Sequence, residues 1–87
     1  MSGWKVELTR PAQRDLRRLD PQIERRVRAA LGRPQQEPLA GDVRKLAGQT
    51  DEWRLRVGDW RVRFTRDTEH KLISVIRILP RGRAYRD

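Results

Sequence analysis

The sequence predicts an α+β domain in the order β-α-α-β-β-β, a largely antiparallel four-stranded sheet carrying a two-helix hairpin on one face. Three observations point there. Two runs, Trp53-Arg54-Leu55-Arg56-Val57 and Trp60-Arg61-Val62-Arg63-Phe64, alternate apolar and basic residues on either side of Gly58-Asp59. An Asp20-Pro21 break separates two segments whose apolar residues recur at helical spacing. A late stretch, Lys71 to Leu79, is apolar at most positions. With 87 residues the chain has room for one domain, 1–87, and one modest core.

Each element has its own signal. Trp4 to Thr9 alternates with period two and reads as a first strand. Pro11 suits the first turn of a helix, where its missing N–H costs little. Ala12, Leu16 and Leu19 then form one apolar stripe, with Arg14, Arg17 and Arg18 outside it. Asp20 is a good N-cap with Pro21 at the next position. Ile23, Val27, Ala30 and Leu31 make the stripe of a second helix, which Gly32 and Pro34 end. Acidic residues at helical spacing, Asp15, Asp20 and Glu24, are expected to pair with the helix arginines.

Residues 34–51 hold Pro34, Pro38, Gly41 and Gly48 and read as a loop, pinned to the core by Leu39, Val43 and Leu46. Gly58-Asp59 matches a two-residue type II′ hairpin turn. Asp67-Thr68-Glu69-His70 forms the next turn, with His70 on the surface. The run to Leu79, apolar on both faces, is expected as a central strand that Pro80 stops. Arg81 to Asp87 is a short basic tail.

The charge balance narrows function. The chain has 21 basic and 12 acidic side chains, a net charge of +9. Only Lys5, Lys45 and Lys71 are lysine, so 18 of the 21 are arginine. Arginine's planar fork grips phosphate bidentately and stacks on bases. A balance this basic points to an acidic partner, and nucleic acid is the most general one. The absence of cysteine excludes a disulfide framework and thiol chemistry. With His70 the single histidine, a His-rich metal site is excluded. No metal and no small-molecule cofactor is expected. No apolar run is long enough to span a membrane. No leader segment is visible, so a cytoplasmic protein without a membrane partner is expected.

The arginines are placed as well as plentiful. Side chains alternate faces along a strand, so Trp53, Leu55, Val57, Val62 and Phe64 should face the helices. Arg54, Arg56, Arg61 and Arg63 then share the opposite, open face. Ordinary solvated faces mix charges, whereas this one is uniformly basic between Glu52 and Asp59. Trp53 and Trp60 are compatible with a cross-strand aromatic pair at the turn. Tyr85, the one tyrosine, sits among Arg81, Arg83 and Arg86.

These residues resemble a known family. W-R-L-R-V-G-D-W-R-V-R-F, residues 53–64, is similar to the Y-R-L/I-R-x-G-D-Y-R-V/L-x-Y hairpin of the RelE/ParE superfamily of bacterial toxins. I-R-I-L-P-R-G-R-A-Y-R, residues 76–86, resembles that family's closing strand and tail. The opening K-V-E-L-T-R-P-A-Q-R-D-L-R-R-L and the segment G-D-V-R-K-L-A-G also resemble family segments, so the likeness covers nearly the whole chain in order. It implies a RelE-like, microbial ribonuclease-type fold and the toxin of a type II toxin–antitoxin module. One branch of the family cuts mRNA in the ribosomal A site; another inhibits DNA gyrase and generally lacks the cutting residues.

Carried over by position, the resemblance implies an active site of Arg54, Arg56, Arg61, Arg81 and Tyr85. Arg63, Arg77, Arg83 and Arg86 are expected as further RNA and phosphate contacts. The expected activity is metal-independent endoribonuclease cleavage by 2′-OH attack, inhibiting translation. The expected partners are a cognate antitoxin, the 70S ribosome with its rRNA, and mRNA. A gyrase inhibitor, or an inactive RNA-binding member, is the alternative. Two positions depart from the family pattern. Pro80 stands where many members carry His or Lys. Arg54 and Arg56 stand where the best-known ribonuclease members carry Lys.

Overall fold

The computed structural model describes residues 4–32, 43–45 and 52–82. The chain runs β1 (Lys5–Leu8), α1 (Arg10–Arg17), α2 (Pro21–Leu31), β2 (Val43–Lys45), β3 (Glu52–Val57), β4 (Trp60–Asp67) and β5 (Leu72–Pro80). The α+β class and the helical hairpin are as expected. The sheet has five strands in the order β1-β5-β4-β3-β2. The additional strand, β2, lies in the segment read as loop. It is three residues long and pairs antiparallel with β3, Val43 opposite Leu55 and Lys45 opposite Trp53. So short an edge strand shows no alternation to read; its partner defines it.

The β3–β4 hairpin has the register its alternation requires. Trp53 faces Phe64, Leu55 faces Val62, and Val57 faces Trp60. The expected Trp53–Trp60 pair is therefore not formed, because the two tryptophans sit at opposite ends of the ladder. Gly58 has φ +58, a conformation that favours glycine. The one non-glycine positive φ among the described residues is at Lys71, so Asp59 does not share it, as a type II′ turn requires. A Cβ at position 58 would also lie 3.3 Å from Nη2 of Arg26 on α2.

The core lies between the helices and one sheet face. Phe64, Val62, Ile73, Val75, Val27 and Ala12 are fully buried, and Leu16, Leu31, Leu55 and Ile78 join them. Half-buried Val43, Trp53, Val57 and Trp60 pack around that cluster. Val43 thus pins its segment as expected, while Leu39 and Leu46 lie outside the described residues.

β5 is interior to the sheet. It pairs antiparallel with β4 along its length and parallel with β1 over residues 72–75. The β4–β5 register shifts after Arg63: Arg63 faces Arg77 but Phe64 faces Val75, leaving Ile76 as the extra residue of a bulge. Through that shift both Val75 and Ile78 point into the core, three residues apart, with Arg77 on the other side.

Beyond Leu8 the helix α1 takes the place of β1 against β5. Thr9 N–H donates to the Val75 carbonyl (3.0 Å), and its hydroxyl donates to the Ile76 carbonyl (3.0 Å). The same hydroxyl accepts from Ala12 N–H (3.3 Å), capping α1; a cap of this kind is worth about 1 kcal/mol. Asp15, one and a half turns further on, accepts the Ile78 N–H (2.9 Å). Side chains of a helix therefore complete the hydrogen bonding of a strand edge. At α2, Asp20 occupies the N-cap position without a side-chain cap hydrogen bond. None of the helices described is long and apolar enough to cross a membrane.

Candidate nucleic-acid interface

Residues that face each other across a sheet project from the same side, so the registers define rows. Arg54, Arg63 and Arg77 form one row across β3, β4 and β5. Arg56, Arg61 and Leu79 form the next. At the end of β5, the Arg81 N–H donates to the Asp59 carbonyl (2.9 Å), which holds exposed Arg81 beside the hairpin turn. Five of the nine arginines and tyrosine singled out from the sequence thus gather on adjoining positions of one face, with a sixth, Arg81, beside the turn at its end. The other three, Arg83, Tyr85 and Arg86, lie outside the described residues.

The face is basic as expected but not uniformly open. Arg56 is exposed, whereas Arg54 is only 8% and Arg61 only 6% exposed. Alternation fixes which way a side chain projects and says nothing of what lies above it. Burying a guanidinium requires hydrogen-bond partners. Arg61 finds them in the turn: Nη1 donates to the carbonyls of Gly58 (2.9 Å) and Trp60 (3.0 Å). Its cation therefore braces the hairpin as well as adding to the positive potential of the face.

Two carboxylates hold the remaining row in place. Glu52 Oε2 accepts from Nη2 (2.6 Å) and Nε (3.0 Å) of Arg63, both side chains being mostly buried. Asp15 binds Arg77 bidentately, Oδ2 to Nε at 2.7 Å and Oδ1 to Nη2 at 3.2 Å. Asp15 was expected to serve a helix arginine. A bidentate fork plus the Ile78 N–H outcompetes an exposed i,i+4 contact, since charge-assisted paired bonds are the stronger kind. Among the described residues the expected helix pairing occurs at Glu24–Arg28 (2.9 Å). Neither Glu52 nor Asp15 carries a sequence signal for its role; both partners are distant in the chain.

A cleft of about 190 Å³ adjoins this face, lined by Asp15, Arg18, Leu19, Trp60, Arg77 and Pro80 among others. A second, of about 290 Å³, lies elsewhere and is lined by Lys45, Trp53, Arg66 and Thr68. No group of three or more His, Asp or Glu among the described residues is arranged to hold a metal ion. His70 is exposed, as expected, and its Nδ1 is 2.7 Å from Asp67 Oδ2. The hydrogen bonds from His70, side chain first, hold the Asp67 carboxyl below its ordinary 3.8. What the arginine face offers chemically is an array of fixed hydrogen-bond donors and positive charge, suited to phosphate.

Comparison with known proteins bears on the family and the fold. The family model described as ParE toxin of type II toxin-antitoxin system, parDE, matches residues 6–85. The toxin–antitoxin complex RelBE2 from Mycobacterium tuberculosis is similar at 30% identity, covering 90% of this chain and 98% of that one, TM-score 0.77. The RelE–RelB complex from the archaeon Pyrococcus horikoshii OT3 is also 30% identical, covering 97% and 100%, TM-score 0.72. The isolated RelE toxin of E. coli, 16% identical over 95% and 89%, shares the fold at TM-score 0.77. No curated protein sequence matches.

Proposed function

The chain belongs to the RelE/ParE superfamily of type II toxin–antitoxin toxins, and from that membership we propose that it is a cytoplasmic, ribosome-dependent endoribonuclease that cuts mRNA in the A site. The observation that carries the reading is the gathering of Arg54, Arg56, Arg61, Arg63 and Arg77 on one sheet face, with Arg81 beside the turn at its end.

RNA brings its own nucleophile, the 2′-OH, so cleavage needs a base there, cations on the phosphorane and help for the departing 5′-oxygen. Tyr85 is the proposed base. A phenol ordinarily titrates near ~10, and a cationic surround favours its ionised form. Exposed Arg56 and Arg81 meet the phosphate and the leaving oxygen. Arginine hardly ever gives up its proton, so Arg81 acts by electrostatic stabilisation. Buried Arg54 and Arg61 strengthen the field from beneath, and Arg61 keeps the turn rigid. Arg63 and Arg77, with Arg83 and Arg86, hold the neighbouring phosphates. Each well-placed donor is worth roughly 2.7–4 kcal/mol of barrier, by analogy with oxyanion donors. With such weak acid–base groups, free RNA is a poor substrate, and the ribosome supplies the reactive geometry.

The relatives in complexes with antitoxins support a cognate antitoxin as partner. A protein of net charge +9 is best neutralised by an acidic or amphipathic one.

A second reading, inhibition of DNA gyrase, is favoured by the ParE description of the matching family model and by the burial of Arg54 and Arg61. Primer extension on mRNA after induction separates the two. The nuclease reading expects new 5′ ends within codons, lost when Tyr85→Phe and Arg81→Ala are combined. Cleavage and growth arrest intact in that variant, or uncut mRNA with an induced DNA-damage response, overturns it.

A further inference from the structure

The positive charge of the arginine face does not stop at the sheet. Helical spacing pairs Arg28 with Glu24 on α2 (2.9 Å). Arg26, on the same helix, is placed differently. A Cβ at position 58 would lie 3.3, 3.4 and 3.6 Å from its Nη2, Nη1 and Cζ. The charged head of Arg26 therefore rests on the β3–β4 turn, in space that a side chain at position 58 would crowd. An arginine that packs only for its apolar stem sends its head to water instead. Arg26 is exposed, and among the described residues it has no hydrogen bond or ion pair. Neither Glu24, which takes Arg28, nor Asp59 beside the turn is its partner.

The same turn holds two further arginines. Arg61 Nη1 donates to the Gly58 carbonyl (2.9 Å), and the Arg81 N–H donates to the Asp59 carbonyl (2.9 Å). Arg61 thus spends side-chain donors on the backbone. The Arg26 and Arg81 side chains spend none among the described residues. Basic positions continue in series along the hairpin. Arg54, Arg63 and Arg77 come first, Arg56 and Arg61 next, and Arg81 and Arg26 stand at the turn. Carboxylates hold Arg63 and Arg77 at the start of that series. At its end, Arg26 and Arg81 have no such counter-charge among the described residues.

We propose that Arg26 is a further phosphate contact: RNA held on the arginine rows runs on past the hairpin turn, and Arg26 of α2 takes a phosphate there beside Arg81. The proposal rests on the reading of that face as a nucleic-acid surface and extends it from the sheet onto a helix. Continuity with the rows favours RNA over an acidic peptide. A backbone charged at every unit meets a series of cations whatever its sequence, whereas a peptide would need its carboxylates in matching register. Contact with the turn restrains the Arg26 head, so less freedom is lost when the phosphate binds.

The test uses the full chain and an oligouridylate of about 12 nucleotides, within the range of single-strand sites. Affinity is measured by anisotropy over a salt series, with the melting temperature of each variant alongside. Arg26→Gln is expected to reduce the salt slope by about 0.7, the share of one phosphate contact, with an unchanged melting temperature. Arg26→Lys keeps the charge and should keep most of the slope. Arg25→Gln removes the same charge from the neighbouring exposed position of α2 and should leave the slope as in the wild type. The proposal is overturned by no RNA binding in the wild type or by a slope that Arg26→Gln does not move. Equal losses in the Arg25 and Arg26 variants also overturn it, as an effect of net charge. An equal loss toward oligoglutamate of the same charge overturns it in favour of an acidic protein. Cutting of mRNA is scored separately. Cutting with a slope indifferent to Arg26 counts against this contact alone; a slope that depends on Arg26 without cutting counts against the nuclease reading alone.

Discussion

On the helix side of the sheet, Val62, Phe64 and Val75 are wholly buried among apolar neighbours. On β3, β4 and β5, Arg54, Arg61, Arg63 and Arg77 project from the other side of the same sheet. The first face is held by packing, which is non-directional and collective. The second is held by individual bonds: Arg61 to two carbonyls, Arg63 to Glu52, Arg77 to Asp15. The contrast teaches that the basic face is a constructed surface. Like charges set side by side repel, and two half-buried carboxylates moderate that repulsion while fixing where the guanidinium planes lie. A surface meant only for solubility needs no such supports.

The sharpest way to break the contrast is through the packed side. Phe64→Ala should cost about 3–5 kcal/mol, as for other buried Phe truncations, read as a lower urea midpoint with an unchanged slope. Asp15→Ala attacks the bonded side. It leaves the Ile78 N–H without its acceptor and Arg77 without its carboxylate, and should cost about 1–3 kcal/mol. Asp15→Asn keeps an acceptor for Ile78 and should recover part of that loss; equal losses for Ala and Asn would mean that the backbone bond contributes little.

Glu52→Gln is the smallest in stability and the most informative. The pair is mostly buried, but the Gln carbonyl keeps an acceptor for Arg63, so the loss to the fold should be on the order of 1 kcal/mol. Removing the charge ends the competition between Glu52 and a phosphate for Arg63, so RNA affinity should rise. A fall in RNA affinity instead would show Glu52 to be orienting Arg63 for the ligand.

Much of this arrangement could be read from the residues. Gly58-Asp59 between two alternating runs dictated the hairpin and thereby which arginines share a face. Pro11 and Pro21 bounded the helix starts because proline permits little else there, and Gly32 closes the second helix as its C-cap. What escaped had long-range causes. β2 exists because β3 offers it an edge. The bulge at Ile76 is invisible in a run apolar on both sides, yet it decides that Ile78 enters the core and Arg77 does not. Asp15 sits at a spacing that suits a helix pair, and only the tertiary fold brings Arg77 to it, 62 residues away. The burial of Arg54 and Arg61 depends on what lies over the face. Of the expected site, Tyr85 with Arg83 and Arg86 falls outside the described residues.

The joint between Thr9 and the bulge has a consequence for synthesis. One hydroxyl near the start of the chain both caps α1 and holds the carbonyl of Ile76, 67 residues later. β1 likewise finds its partner only in β5. Such distant contacts must wait for their second half, and loop closure makes them slow to form. While the chain is being made, its first strand and helix have nothing to rest on. A message truncated anywhere before β5 therefore yields a chain that lacks Arg77 and Arg81 and cannot assemble the basic face.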